Sequence, residues 1–112
     1  MITIYHNPRC SKSRACLLLL KEATDNLEVV DYSNNLLSLE RLRELAAKLG
    51  LNAMLRNNEA LYKELHLEEA DDETILNALK THPQLLQRPI VVVGEQMLIA
   101  RPPEKVLELI NV

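Results

Sequence analysis

The chain has 112 residues, 47% of them hydrophobic and 26% charged, which is the size and composition of one compact domain and not of a disordered or fibrous segment. A formal net charge of −3 and an aromatic content of 3%, with neither Trp nor Phe, speak against a nucleic-acid binder, which needs a basic face and stacking platforms. No basic leader opens the chain and no apolar run approaches the ~20 residues that span a bilayer; neither export nor membrane anchoring is expected, and the cytosol is the expected location. In that reducing compartment Cys10 and Cys16 read as catalytic, metal-binding or inert, and not as a structural disulfide.

The first residues, from Met1 to Tyr5, have strand character. Asn7-Pro8 breaks the run, and a helical pattern starts near Ser11. Its apolar positions Ala15, Leu17 to Leu20 and Ala23 run around much of the helix, which predicts a helix largely buried against a sheet. Residues Leu27 to Tyr32 read as a second strand, parallel to the first in a βαβ unit. From Ser38 to Gly50 the apolar residues Leu39, Leu42, Leu45, Ala46 and Leu49 follow the helical period, with Ser38 as N-cap and Gly50 as C-terminal stop.

Further helical pieces are expected at Asn52 to Arg56, Glu59 to Leu65 and Asp72 to Lys80. The acidic run Asp71-Asp72-Glu73 suits the positive end of the last helix better than it suits a metal. Ile90 to Val93, Gly94-Glu95 and Gln96 to Ala100 read as a β-hairpin, and Pro103 to Ile110 as a final helix. The expected architecture is one α/β domain with a mixed four-stranded sheet, in the order β-α-β, helical insertion at about 35–86, then β-β-α.

Cys10 lies in His6-Asn7-Pro8-Arg9-Cys10-Ser11-Lys12-Ser13-Arg14, where a strand hands over to a helix. A thiolate there faces unpaired helix amides and the positive end of the dipole, and Arg9, Lys12 and Arg14 surround it in sequence; such settings depress a thiol pKa. Cys16 is six residues on, separated by about 9 Å of helical rise, beyond the ~7 Å reach of a disulfide. It reads as a buried, inert thiol. A C-x-x-C redox pair would need a cysteine where Ser13 stands, and a C-x5-R phosphatase loop an arginine where Cys16 stands. His6, His66 and His82 show no zinc spacing with the cysteines. Without a second redox cysteine, Cys10 needs an external thiol, such as glutathione or a dithiol protein, to resolve a covalent intermediate. Arg56, Arg88 and Arg101 stand at the ends of elements; singly each reads as a surface charge, but together with Cys10 they suit a tetrahedral oxyanion.

The stretches ITIYHNPRCSKSR at the start, Leu55-Arg56 followed by LYKEL at Leu61 to Leu65, RPIVV at Arg88 to Val92 and ARPPE at Ala100 to Glu104 resemble, in order and spacing, the glutaredoxin-coupled arsenate reductase family, in particular its small chromosomally encoded members. The resemblance implies a thioredoxin-like fold, Cys10 as nucleophile, Arg56, Arg88 and Arg101 as oxyanion-binding arginines, and His6 and Ser13 as residues that tune or orient the cysteine. It also implies a cis bond at Arg88-Pro89. The activity implied is reduction of arsenate to arsenite through a Cys10 thiol-arsenate intermediate, with glutathione as co-substrate, glutaredoxin as partner and no bound metal or flavin. Arg9 and Cys16 depart from better-studied plasmid members. Three other readings stay open: a regulatory adaptor of the Spx type, which usually carries the C-x-x-C that Ser13 denies here, a glutathione-dependent thiol reductase with another substrate, and a binding module without catalysis, which predicts an ordinary Cys10 pKa. No heptad or large apolar patch calls for a dimer, so a monomer is expected.

Overall fold

The computed structural model describes residues 1–34 and 37–110. They fall into two compact units, Met1–Asn35 with Arg88–Val112, and Leu36–Gln87. The expected start of the helical insertion, Asn35, lies outside the described residues.

The first unit is built on a four-stranded mixed sheet. Strand β1 (Ile2–His6) leads through a turn into helix α1 (Ser11–Ala23), which returns to β2 (Leu27–Asp31). β2 runs parallel to β1, as a helical crossover requires. The hairpin β3 (Ile90–Val93) and β4 (Gln96–Ile99) completes the order β2-β1-β3-β4, with β3 antiparallel to both neighbours. Gly94 takes a φ of 62° in the hairpin turn, a conformation that glycine adopts without a Cβ penalty. The last helical stretch is not uniform: Pro103–Val106 is a 3-10 turn, followed by a short α-helix, Leu107–Ile110. The fold is thioredoxin-like.

Two periodicities meet in the core of this unit. Strand alternation puts Ile2, Ile4 and His6 of β1 on one face, and helical spacing puts Ser13, Cys16 and Leu20 of α1 on one stripe. Ile4, Cys16 and Leu20 close into a buried cluster with Val91, Ala100 and Val106. Where the stripes reach the C-terminal end of β1 they turn polar, and His6 meets Ser13.

The expectation of a largely buried α1 is corrected here. Only Ser13, Cys16 and Leu20 are buried, and Leu18 is 60% exposed. Four consecutive leucines wrap the whole circumference of a helix, and a single sheet covers only one side of it.

The second unit is helical. Ser38 caps α2 (Leu39–Leu49) by accepting from the Arg41 amide, and Gly50 ends it at φ 89°. Asp71 caps α5 (Asp72–Thr81) by accepting from the Thr74 amide at 2.8 Å. α2 and α5 pack together, and Arg43 and Glu73 join them in a bidentate ion pair. Between them lie the short helices α3 (Leu51–Met54) and α4 (Ala60–Glu64). The helix expected over Asn52 to Arg56 stops at Met54, because Leu55 turns extended and bridges Leu86 in antiparallel pairing. Backbone bonds from Arg56 to Leu85 and from Gln87 to Met54, both 2.7 Å, extend that pairing. No helix among the described residues is long and apolar enough to cross a membrane.

Candidate active site

The loop from Asn7 to Cys10 is tied by its own backbone. Cys10 N–H donates to the Asn7 carbonyl at 3.0 Å, and Arg9 N–H donates to Asn7 Oδ1 at 3.0 Å. These bonds leave Cys10 at the N-cap of α1 with extended backbone (φ −95°, ψ 122°). The Arg14 guanidinium reaches back from the first turn of the helix to the Pro8 carbonyl at 2.9 Å and closes the loop from the other side.

Cys10 is half-buried and free, and its pKa lies below the ordinary thiol value of 9.0. Burial pushes the thiol up, but opposing influences outweigh it. The largest of these is the Arg88 side chain as hydrogen-bond partner, followed by the amides of Ser13 and Lys12, and then the Arg88 charge. Among the described residues no capping hydrogen bond closes on the Cys10 side chain; the two amides carry the partial positive charge of a helix N-terminus, which favours the thiolate form.

The sequence-based expectation about the cations is corrected in part. Arg9, Lys12 and Arg14 flank Cys10, but the cation that bears on the sulfur is Arg88. Lys12 contributes its backbone amide, and Arg14 is engaged with Pro8. The strand-pairing of β1 with β3 puts the start of β3 beside the end of β1, so a residue far away in sequence supplies the charge.

Arg88 precedes Pro89 through a cis peptide bond, and Arg101 precedes Pro102 through a second one that the sequence did not suggest. Arg101 Nη1 donates to the Arg88 carbonyl at 3.3 Å, which links the two arginines through the backbone of the first. Arg88 Nε is buried without a hydrogen-bond partner among the described residues. An unmet guanidinium donor beside a thiol is a ready hydrogen-bond donor for an oxyanion.

Behind the thiol, Ser13 Oγ lies 2.7 Å from His6 Nδ1 and accepts the Asn7 amide at 3.0 Å. Both His6 and Ser13 are buried. Burial lowers the His6 pKa below 6.5, against an upward pull from Asp31, and so favours the neutral ring. Asp31 is the register partner of His6 on β2, and its carboxylate is engaged by Ser33 and Asn34 in the following turn. The sequence reading passed over Asp31; the signal was the equal length of the two parallel strands, which brings their last residues together. The arrangement fixes the loop and the first turn of α1 from beneath, and so fixes the amides that face the sulfur.

Cys10, His6, Ser13, Arg88 and Arg101 thus all belong to the sheet unit. Arg56 belongs to the helical unit, where its side chain is 15% exposed and its Nη1 lies 3.7 Å from Glu59 Oε1. Among the described residues no group of three or more His, Cys, Asp or Glu is placed to hold a metal ion.

A chain with this site also has close relatives. Residues 5–109 match the ArsC family. An arsenate reductase of Neisseria meningitidis is 44% identical over 94% of this chain and 94% of its own length. The protein YfgD of Escherichia coli is 45% identical over 98% of this chain and 97% of its own length. The solved arsenate reductase of Vibrio cholerae superposes with a TM-score of 0.90 at 44% identity, covering 96% of this chain and 95% of the other. The family match runs through the cysteine loop, both cis-proline segments and Arg56, and this chain belongs to the ArsC family.

Proposed function

We propose that this protein reduces arsenate to arsenite in the cytosol, with Cys10 as nucleophile and with glutathione and glutaredoxin as the source of electrons. The observation that carries the reading is the depressed Cys10 thiol at a helix N-terminus with Arg88 as its partner. Identity of 44% to an arsenate reductase supports the choice of anion.

In this scheme the Cys10 thiolate attacks arsenic, an oxygen leaves as water, and a sulfur–arsenic bond forms with arsenic still pentavalent. Arg88, with its unmet Nε donor, and Arg101 neutralise the remaining oxygens. Guanidinium groups that meet developing charge favour the transition state over the free anion. A glutathione thiol then displaces a second oxygen as water. A glutaredoxin thiolate attacks the glutathione sulfur, the sulfur–arsenic bond breaks, and its electron pair stays on arsenic, which becomes trivalent. The new disulfide joins glutaredoxin and glutathione. Water finally displaces Cys10 and releases arsenite.

The test is arsenite production by wild type and Arg88→Ala, with glutathione and glutaredoxin each present or omitted. The scheme expects turnover only in wild type with both thiols and a large loss in the variant. Equal rates throughout would remove it.

A further inference from the structure

The cations of the sheet unit near Cys10 divide into two groups. Arg88 lowers the pKa of the sulfur, Arg101 Nη1 donates to the Arg88 carbonyl and Arg14 Nη1 to the Pro8 carbonyl. Arg9 and Lys12 are different: both are exposed, and neither side chain has a hydrogen-bond or ion-pair partner among the described residues. They stand one residue before and two residues after Cys10, and no acidic residue occurs before Glu22. On a chain of net charge −3, two exposed cations without an ion-pair partner among the described residues flank Cys10 in sequence.

We propose that Arg9 and Lys12 form the docking rim for an anionic low-molecular-weight thiol of the glutathione class, and so select the co-substrate that reacts at Cys10. The inference deepens the proposed function, and rests on it only in that a second thiol is delivered to Cys10. Arg88 and Arg101 serve the thiol and the anion; the free pair is left to meet the carboxylates of the incoming peptide. Exposed charges of this kind raise the encounter rate of an oppositely charged reactant and lose that effect in salt.

The test avoids arsenate. Cys10 thiolate attacks glutathione disulfide, one sulfur–sulfur bond breaks and another forms, and one glutathione thiolate leaves with the electron pair. Each protein is also reacted with the uncharged 2-hydroxyethyl disulfide, which normalises for any change in Cys10 itself. Cys16 stays silent in both reactions, being fully buried with its pKa pushed up to about 12.

At low salt, the ratio of glutathione-disulfide rate to neutral-disulfide rate should fall by roughly tenfold in the Arg9→Glu/Lys12→Glu variant. It should fall by about threefold in Arg9→Gln/Lys12→Gln, and the variants should converge on wild type in high salt. An unchanged ratio in either variant overturns the inference. A changed ratio in a protein that forms no arsenite would retain this rim and remove the arsenate reading, so the two failures are separate.

Discussion

Cys10 and Cys16 are six residues apart, one at the N-cap of α1 and the other in its second turn, and their surroundings drive them in opposite directions. At Cys10 burial is overcome by Arg88 and by helix amides, and the thiol is depressed. At Cys16 burial acts alone and pushes the thiol up to about 12. The helix dipole explains part of the contrast, because its influence fades within the first turn. The rest comes from the sheet: β3 delivers a cation to the end of β1, whereas Ile4 and Val91 deliver only methyl groups to the middle of the helix. One sequence element therefore holds a reactive thiol and an inert one. Local sequence already sets them apart, with Pro8, Arg9, Ser11 and Lys12 around Cys10 and Ala15 and Leu17 to Leu20 around Cys16.

The comparison can be broken most forcefully at the sulfurs themselves. Cys10→Ser should reduce arsenite formation to the level without enzyme, while Cys16→Ala retains it; an active Cys10→Ser protein would contradict the assignment. Ser13→Ala comes next. It strips the buried Asn7 amide and His6 Nδ1 of their shared partner, and should cost about 1–3 kcal/mol in urea unfolding. The same change should slow Cys10 alkylation at neutral pH, since the loop and first turn lose their support; unaltered stability would show that the pair is not structural.

Cys16→Ala should cost about 1 kcal/mol, as a sulfur is removed from a closed core. It should also abolish a specific alkaline sensitivity. A folded-state pKa raised from 9.0 to about 12 stabilises the fold fully below 9, and that contribution is lost as pH rises towards 12. The smallest effect is at His6. Burial lowers its pKa below 6.5, so its contribution to stability is present above pH 6.5 and lost as pH falls through the folded-state value. Urea unfolding in mildly acidic buffer should show a weaker pH dependence in His6→Gln than in wild type.

Much of the frame was legible in the sequence because it is written in short-range chemistry. Ser38 and Asp71 cap helices as their side chains suggest, and Gly50 and Gly94 take the positive φ values that stops and hairpin turns need. The position of Cys10 between strand and helix was equally readable. The partners of that thiol were less so. Arg9, Lys12 and Arg14 are its neighbours in sequence, and Arg88 could be grouped with it only as one of three arginines suited to an oxyanion; the sheet brings Arg88 beside the sulfur and Asp31 opposite His6. The same limit explains α1, where four leucines in a row announce a hydrophobic helix but not which side the sheet covers. It explains Leu55 too, which continues a helical pattern yet leaves the helix to pair with Leu86.

What joins these points is Arg88, whose side chain and charge lower the Cys10 pKa. The most direct test of that role is the pH dependence of Cys10 alkylation by iodoacetamide in wild type and in Arg88→Ala. The expected result is an apparent pKa below 9.0 for wild type and a higher one in the variant, with less thiolate at neutral pH. Superimposable profiles, or a wild-type thiol that titrates at its ordinary value, would contradict it.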